Sequence, residues 1–201
     1  MDMADATGEG YPLVLQSGAD PSTLGGVAVC GLTTVGSVGV IAASHLIASL
    51  GLKPMGTVIH PEFPAVALIQ ESVPKHPVRV YQGEEMGVFI SEIQFPQASD
   101  FQFGNTVLEW FQKGGFDRLV IIDGLVSEDL GLKEDGDIWG VASLQSGRDA
   151  LDTVGIQRIQ QGIVTGVSGF LLAEGERQGL DITVLLAECN PVYPDARAAL
   201  I

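Results

Sequence analysis

Cations are scarce in this chain. Ten Lys and Arg stand against 25 Asp and Glu, a formal net charge of −15 over 201 residues. That balance argues against a nucleic-acid backbone or an anionic membrane surface as the partner. Cysteine is nearly absent: Cys30 and Cys189 are the only two. Two cysteines provide neither a disulfide framework nor a zinc set. Each lies in or beside an apolar run, so both are expected to be reduced thiols, one within a strand and one at a strand's end. The first residues, MDMADATGEG, have no basic stretch leading into an apolar one, so no signal peptide is expected and the compartment implied is the cytoplasm.

The longest uncharged stretch, 21–52, contains six glycines, several Ser and Thr, and His45. A membrane span needs about 20 apolar residues, and the GLTTVGSVG at its middle reads as a turn. A strand, a Gly-rich turn and a buried helix account for it better.

What is present is apolar periodicity. Val27–Leu32 predicts a buried strand and Ser37–Leu50 a helix covered on most sides. Lys53–Ile59 predicts a second strand. Ala65–Gln70, Val78–Gln82 and Val88–Ile93 follow as a meander broken by Pro74, Pro77 and Gly83. Ser99 with Gln102 has the spacing of a capping box for a helix through Val107, Leu108 and Phe111. Arg118–Asp123 is a continuous apolar run of the kind found in strands covered on both faces. Next come an acidic loop at 127–137, a strand at Trp139–Leu144 and a helix at Arg148–Val154. A helix at Phe170–Gln178 and a strand at Ile182–Ala187 follow, and the end, after its two prolines, is expected to begin a last helix. The alternation predicts an α/β fold with a mostly parallel sheet. Residues 1–10 are expected to form a disordered acidic tail, and 11–201 one α/β domain.

Two Gly-rich turns each open a helix, and these are the candidate ligand or anion site: Gly36, Ser37 and Gly39 in the first, Thr165, Gly166 and Ser168 in the second. Free N–H groups at a helix start can hold an anion. The plainer alternative is a tight turn that brings helix and strand close. The first turn has the glycine spacing of a nucleotide P-loop but carries Ser37 where the lysine belongs. The second lacks the last glycine of a nucleophile elbow, since Phe170 stands there. Neither turn has a Lys or Arg within five residues; Lys53 and Arg158 would have to approach through folding. His45, His60 and His76 are not spaced as ligands or as a triad, and the 127–137 loop lacks the order of a calcium loop. No catalytic residue, metal ligand or cofactor is assigned, and the reading leans away from an enzyme.

Four segments, in order, resemble the proteasome assembly chaperone 2 family in its archaeal form. They are Gly36-Ser37-Val38-Gly39 with Ala42, Leu46 and Ile47; Pro61-Glu62-Phe63-Pro64; Gly166-Val167-Ser168-Gly169-Phe170-Leu171-Leu172; and Leu185-Leu186-Ala187-Glu188 with Tyr193-Pro194-Asp195. The resemblance covers about 27–199. It implies a three-layer α/β fold akin to nucleoside phosphorylases, with helices on both faces of the sheet. It further implies a non-enzymatic homo-oligomer that binds proteasome α-subunits. The last residues, Ala199-Leu200-Ile201, differ from the hydrophobic-Tyr-any-residue tail through which some members dock. Glu62, Phe63 and Pro64 are the expected partner contact, an aromatic in a proline-stiffened loop. The alternative function, from the same fold, is a nucleoside- or phosphate-binding enzyme.

Overall fold

The computed structural model describes residues 10–16, 25–126 and 136–200. The expected tail (1–10, save Gly10) and most of the acidic loop lie outside them. The strands are β1 (Leu13–Leu15), β2 (Val27–Leu32), β3 (Lys53–Val58), β4 (Leu68–Gln70), β5 (Val73–Lys75), β6 (Val78–Gln82), β7 (Met86–Ser91), β8 (Arg118–Val126), β9 (Ile138–Ala142), β10 (Gln157–Arg158) and β11 (Ile182–Cys189). The helices are α1 (Val38–Ser49), α2 (Asp100–Lys113), α3 (Gln145–Thr153), α4 (Gly166–Gln178) and α5 (Ala196–Leu200).

Among the described residues nine strands form one mixed sheet in the order β1-β3-β6-β7-β2-β8-β11-β9-β10. Its centre, β7-β2-β8-β11, is parallel throughout. Antiparallel strands flank it, with β6 against β7 and β9 against β11. The centre is where the sequence shows continuous apolar runs, and the reason is visible in the layers. Ala28, Cys30, Leu119, Ile121, Ile182 and Val184 point one way, onto Phe103, Val107 and Trp110 of α2 and Leu171 of α4. Val29, Val88 and Ile90 point the other way, onto Ala43, Val40 and Leu46 of α1. Alternate residues are therefore buried on opposite faces, and each strand is apolar at nearly every position. The result is a three-layer α/β fold. Cys30 and Cys189 are both buried free thiols, one inside β2 and one at the end of β11. Burial pushes both thiols up from their ordinary value, and the Asp123 carboxylate adds to the effect.

Several boundaries differ from expectation. Ser99 does not cap α2: it already has helical backbone angles, within a short 3-10 turn at Gln97–Ser99, and its side chain makes no capping bond. The strand expected at Ala65–Gln70 shrinks to Leu68–Gln70, paired only with β5 in a separate hairpin. Helix α4 starts at Gly166 rather than Phe170, so the second glycine turn is its first turn. Helix α3 starts at Gln145, three residues earlier than periodicity suggests. The last strand runs two residues further, to Cys189. Among the described residues no helix is long and apolar enough to cross a membrane.

Candidate functional site

Parallel strands end together, and so do the segments that leave them. At the C-terminal end of β2, β7, β8 and β11 the chain opens into a cleft of about 900 Å³. Open α/β sheets place their ligand sites at this end. The segment after β2 contributes Thr33–Ser37, the segment after β7 contributes Ile93–Phe95, and β8 contributes Asp123–Leu125. Pro191–Pro194, after β11, and Ile159 with 161–168, leading into and opening α4, complete the walls. Five predicted residues thus come to one place: Gly36, Ser37, Thr165, Gly166 and Ser168. Gly39 does not. It lies beneath the cleft, where a Cβ would meet the Ile122 carbonyl oxygen at 2.3 Å, so its role is the close packing of α1 on β8.

Asp123 ties the two glycine turns together. Its Oδ1 accepts from Thr34 Oγ1 at 2.5 Å and from the Gly124 N–H at 2.8 Å, and its Oδ2 accepts from Ser168 Oγ at 2.6 Å. Sequence reading missed this residue. The available signal was an Asp closing an otherwise apolar parallel strand, where ligand-end residues stand. A second aspartate, Asp100 at the start of α2, also lines the cleft, with Oδ2 3.7 Å from where a Gly166 Cβ would be. Burial pushes its carboxyl above the usual carboxylate range.

The first turn is held firmly. Gly36 and Ser37 both take left-handed angles, φ 62° and 51°. A Cβ on Gly36 would sit 2.7 Å from Cys189 Sγ, and the Gly36 carbonyl accepts from the Asp195 N–H at 2.8 Å. Asp195 itself caps α5, accepting from the N–H groups of Asn190 and Ala198. Burial works against its ionisation, but those two bonds and the Arg197 guanidinium outweigh burial and hold the carboxyl below its ordinary value.

The chemistry on offer is limited. Among the described residues no Lys, Arg or His lines the cleft. Lys53 lies at the other end of the sheet, and Arg158 is paired with Asp152 at 3.0 Å. His45 is exposed on α1 beside Ser49, and His60 packs on Tyr11 with ring centroids 4.6 Å apart. Among the described residues no imidazole stands beside the hydroxyls of Ser37 and Ser168; the Ser168 hydroxyl is instead bonded to Asp123. Nor do the described residues contain a group of three or more His, Cys, Asp and Glu placed to hold a metal. The rim is apolar and uncovered: Ile163 is 91% exposed, Val192 86% and Tyr193 59%. Phe63, expected as a partner contact, turns inward to pack edge-on against Tyr11 at 4.9 Å and beside Phe95 at 5.0 Å, while Glu62 and Pro64 remain on the surface.

Comparison with known proteins adds the family context. The model of the PAC2 family matches residues 28–201. Pyrococcus furiosus PbaA, described as an archaeal homolog of proteasome-assembly chaperone, superposes with a TM-score of 0.83 at 28% identity, over 94% of this chain and 77% of that one. Pyrococcus furiosus PbaB, described as an archaeal proteasome activator, superposes with a TM-score of 0.78 over 96% of this chain and 86% of its own; at 20% identity it speaks for the fold alone. An uncharacterised protein of Methanocaldococcus jannaschii is 25% identical over 162 residues, and the aligned region spans 66% of that relative's length.

Proposed function

The chain belongs to the PAC2 family, and on that premise we propose that it is a non-enzymatic, proteasome-assembly-chaperone-like protein of archaeal type. In this reading it acts in the cytoplasm as a homo-oligomer and binds proteasome α-subunits. The observation that carries the reading is the apolar rim: Ile163, Val192 and Tyr193 stand in water around a cleft that no Lys, Arg or His among the described residues lines. Large apolar side chains left uncovered together mark a surface that another protein covers. Likeness to PbaA along nearly the whole chain supports the kind of partner. The net charge of −15 keeps the unassembled protein soluble and favours partner faces of opposite sign. The test is native mass measurement of the chain mixed with archaeal proteasome α-subunits at micromolar concentration. A complex of defined stoichiometry is expected; two unshifted species would contradict the reading.

The cleft's volume favours one second reading, a nucleoside-binding site, since about 900 Å³ is ample for a small ligand. Its phosphate-binding variant has less support, because among the described residues no cation faces the cleft. Thermal melting with nucleosides, nucleotides and phosphate separates the cases. A ligand at about 100 times its Kd raises stability by about 2.7 kcal/mol, and unchanged melting across the set would remove this second reading.

A further inference from the structure

Residues 59–77, between β3 and β6, leave the sheet at the same end as the cleft and carry the β4–β5 hairpin. The base of this segment is fixed. Buried Arg79 pairs with Glu92, donates to the His76 carbonyl at 2.5 Å and donates to Tyr81 Oη at 2.9 Å. Beyond that base the ribbon projects with little cover: Ile69 is 67% exposed, Val73 52% and Val66 45%. A lone two-stranded ribbon is marginal in water and ordinarily needs a further strand or a packed face.

Its two outer edges are not alike. Gln70 and Val73 flank the two-residue turn Glu71-Ser72, both at left-handed φ, and so form the hydrogen-bonded pair of the hairpin. The next pair, Ile69 and Pro74, is then the non-bonded kind, with backbone polar groups directed outward. On β5 that outward position is a proline, which has no N–H to give and blunts the edge. On β4 it is Ile69, whose N–H and C=O stay open, and no other described strand lies beside it. Charge adds the second argument. In a chain of net charge −15, residues 63–70 (FPAVALIQ) contain no Asp, Glu, Lys or Arg. Two copies of so acidic a molecule repel, and the repulsion opposes their approach least where charge is missing.

We propose that β4 is the self-association edge: the β4 strands of two copies pair antiparallel about a two-fold axis, joining two ribbons into one four-stranded sheet with Ile69 at its middle. A two-fold contact uses the same strand twice, so one open edge is sufficient. The proposal deepens the homo-oligomer part of the function proposed above and rests on it.

The test is solution mass by light scattering at micromolar concentration for the wild type, Ile69→Glu and Ile69→Pro. Glu places like charges opposite each other across the axis. Pro removes the outward N–H and leaves the bonds to β5 in place, so it keeps the test decisive should the charge variant fail to fold. The expected result is a wild-type mass at an even multiple of 21.1 kDa, at least halved in both variants, with cooperative unfolding and the circular dichroism of the folded chain retained. A monomeric wild type overturns the proposal, as do variants of undiminished mass. Loss of α-subunit capture with the mass unchanged also overturns it, since the edge would then serve the foreign partner. α-Subunit capture by the wild type is read separately, so failure of the chaperone reading remains distinguishable.

Discussion

The two glycine-rich turns look alike in the sequence, yet they build opposite kinds of wall. The turn at 33–39 leaves β2 directly and is clamped from three sides. A side chain at Gly36 would strike Cys189, one at Gly39 would strike the backbone of β8, and Asp195 bonds the Gly36 carbonyl. The stretch at 159–168 is open at both of its glycines, and a Cβ would strike backbone only beyond it, at Gly169, against the Val164 carbonyl. A Cβ at Gly162 would meet only Ile159, at 3.5 Å, and one at Gly166 only Asp100, at 3.7 Å. Its fixed point on the opposite wall is the bond from Ser168 to Asp123. Glycine in the first turn is therefore demanded by packing. In the second, Gly166 is demanded by its φ of 69°, and the neighbouring surface stays available to a partner. The same residue type at the same kind of position serves two purposes, and only the third dimension separates them.

Substitution should reproduce that contrast. Gly39→Ala drives a methyl group into the Ile122 carbonyl and the Leu32 backbone, neither of which can give way without moving a central strand. A loss of about 3 kcal/mol is expected in urea unfolding, at the upper end of typical overpacking costs. Ser168→Ala comes next. It removes the bond to Asp123 Oδ2 from a side chain that is almost wholly buried and leaves that oxygen without this donor, and a loss of about 2 kcal/mol is expected. Asp195→Ala removes the cap of α5, for about 1 kcal/mol at pH 7. Because the folded state holds this carboxyl below its unfolded value of about 3.9, its contribution is present above that pH and is lost as pH falls through the folded value. The gap between wild type and variant should therefore narrow in acid.

Asp100, against the open wall, has the opposite sign. Burial raises its carboxyl, so its charge opposes folding near neutrality, and the opposition fades as pH falls through the raised value. Asp100→Asn should stabilise the protein at pH 7 and lose that advantage in acid. At the bottom of the scale, Gly162→Ala should change stability by no more than about 0.5 kcal/mol. A large loss there would mean that the second wall is as constrained as the first.

The centre of the fold was legible because both of its faces are buried. Val27–Leu32 coincides with β2, and Arg118–Asp123 lies within β8, since residues covered on both sides leave a continuous apolar record. The edges were not. β1 is three residues long, and β10 two. The capping box at Ser99 failed because spacing carries no backbone angles, and a 3-10 turn had already placed that serine inside the helix. At the site, the glycine turns were readable while their link was not: Asp123 joins residues 45 and 89 positions away, a relation with no local pattern. Val192 and Ile163 were silent for a similar reason, because an apolar residue in sequence is presumed buried until the fold leaves it outside.

The proposed function puts the docking of a proteasome α-subunit on the apolar rim of the cleft, with Ile163 on the open wall and Val192 on the segment after β11. Its most direct test is the affinity of wild type and the double variant Ile163→Ser, Val192→Ser for α-subunits, measured by titration calorimetry. Both side chains are almost fully exposed, so the variant should melt as the wild type does and bind at least about tenfold more weakly, or about 1.4 kcal/mol. Equal affinity, with the fold intact, would contradict the claim.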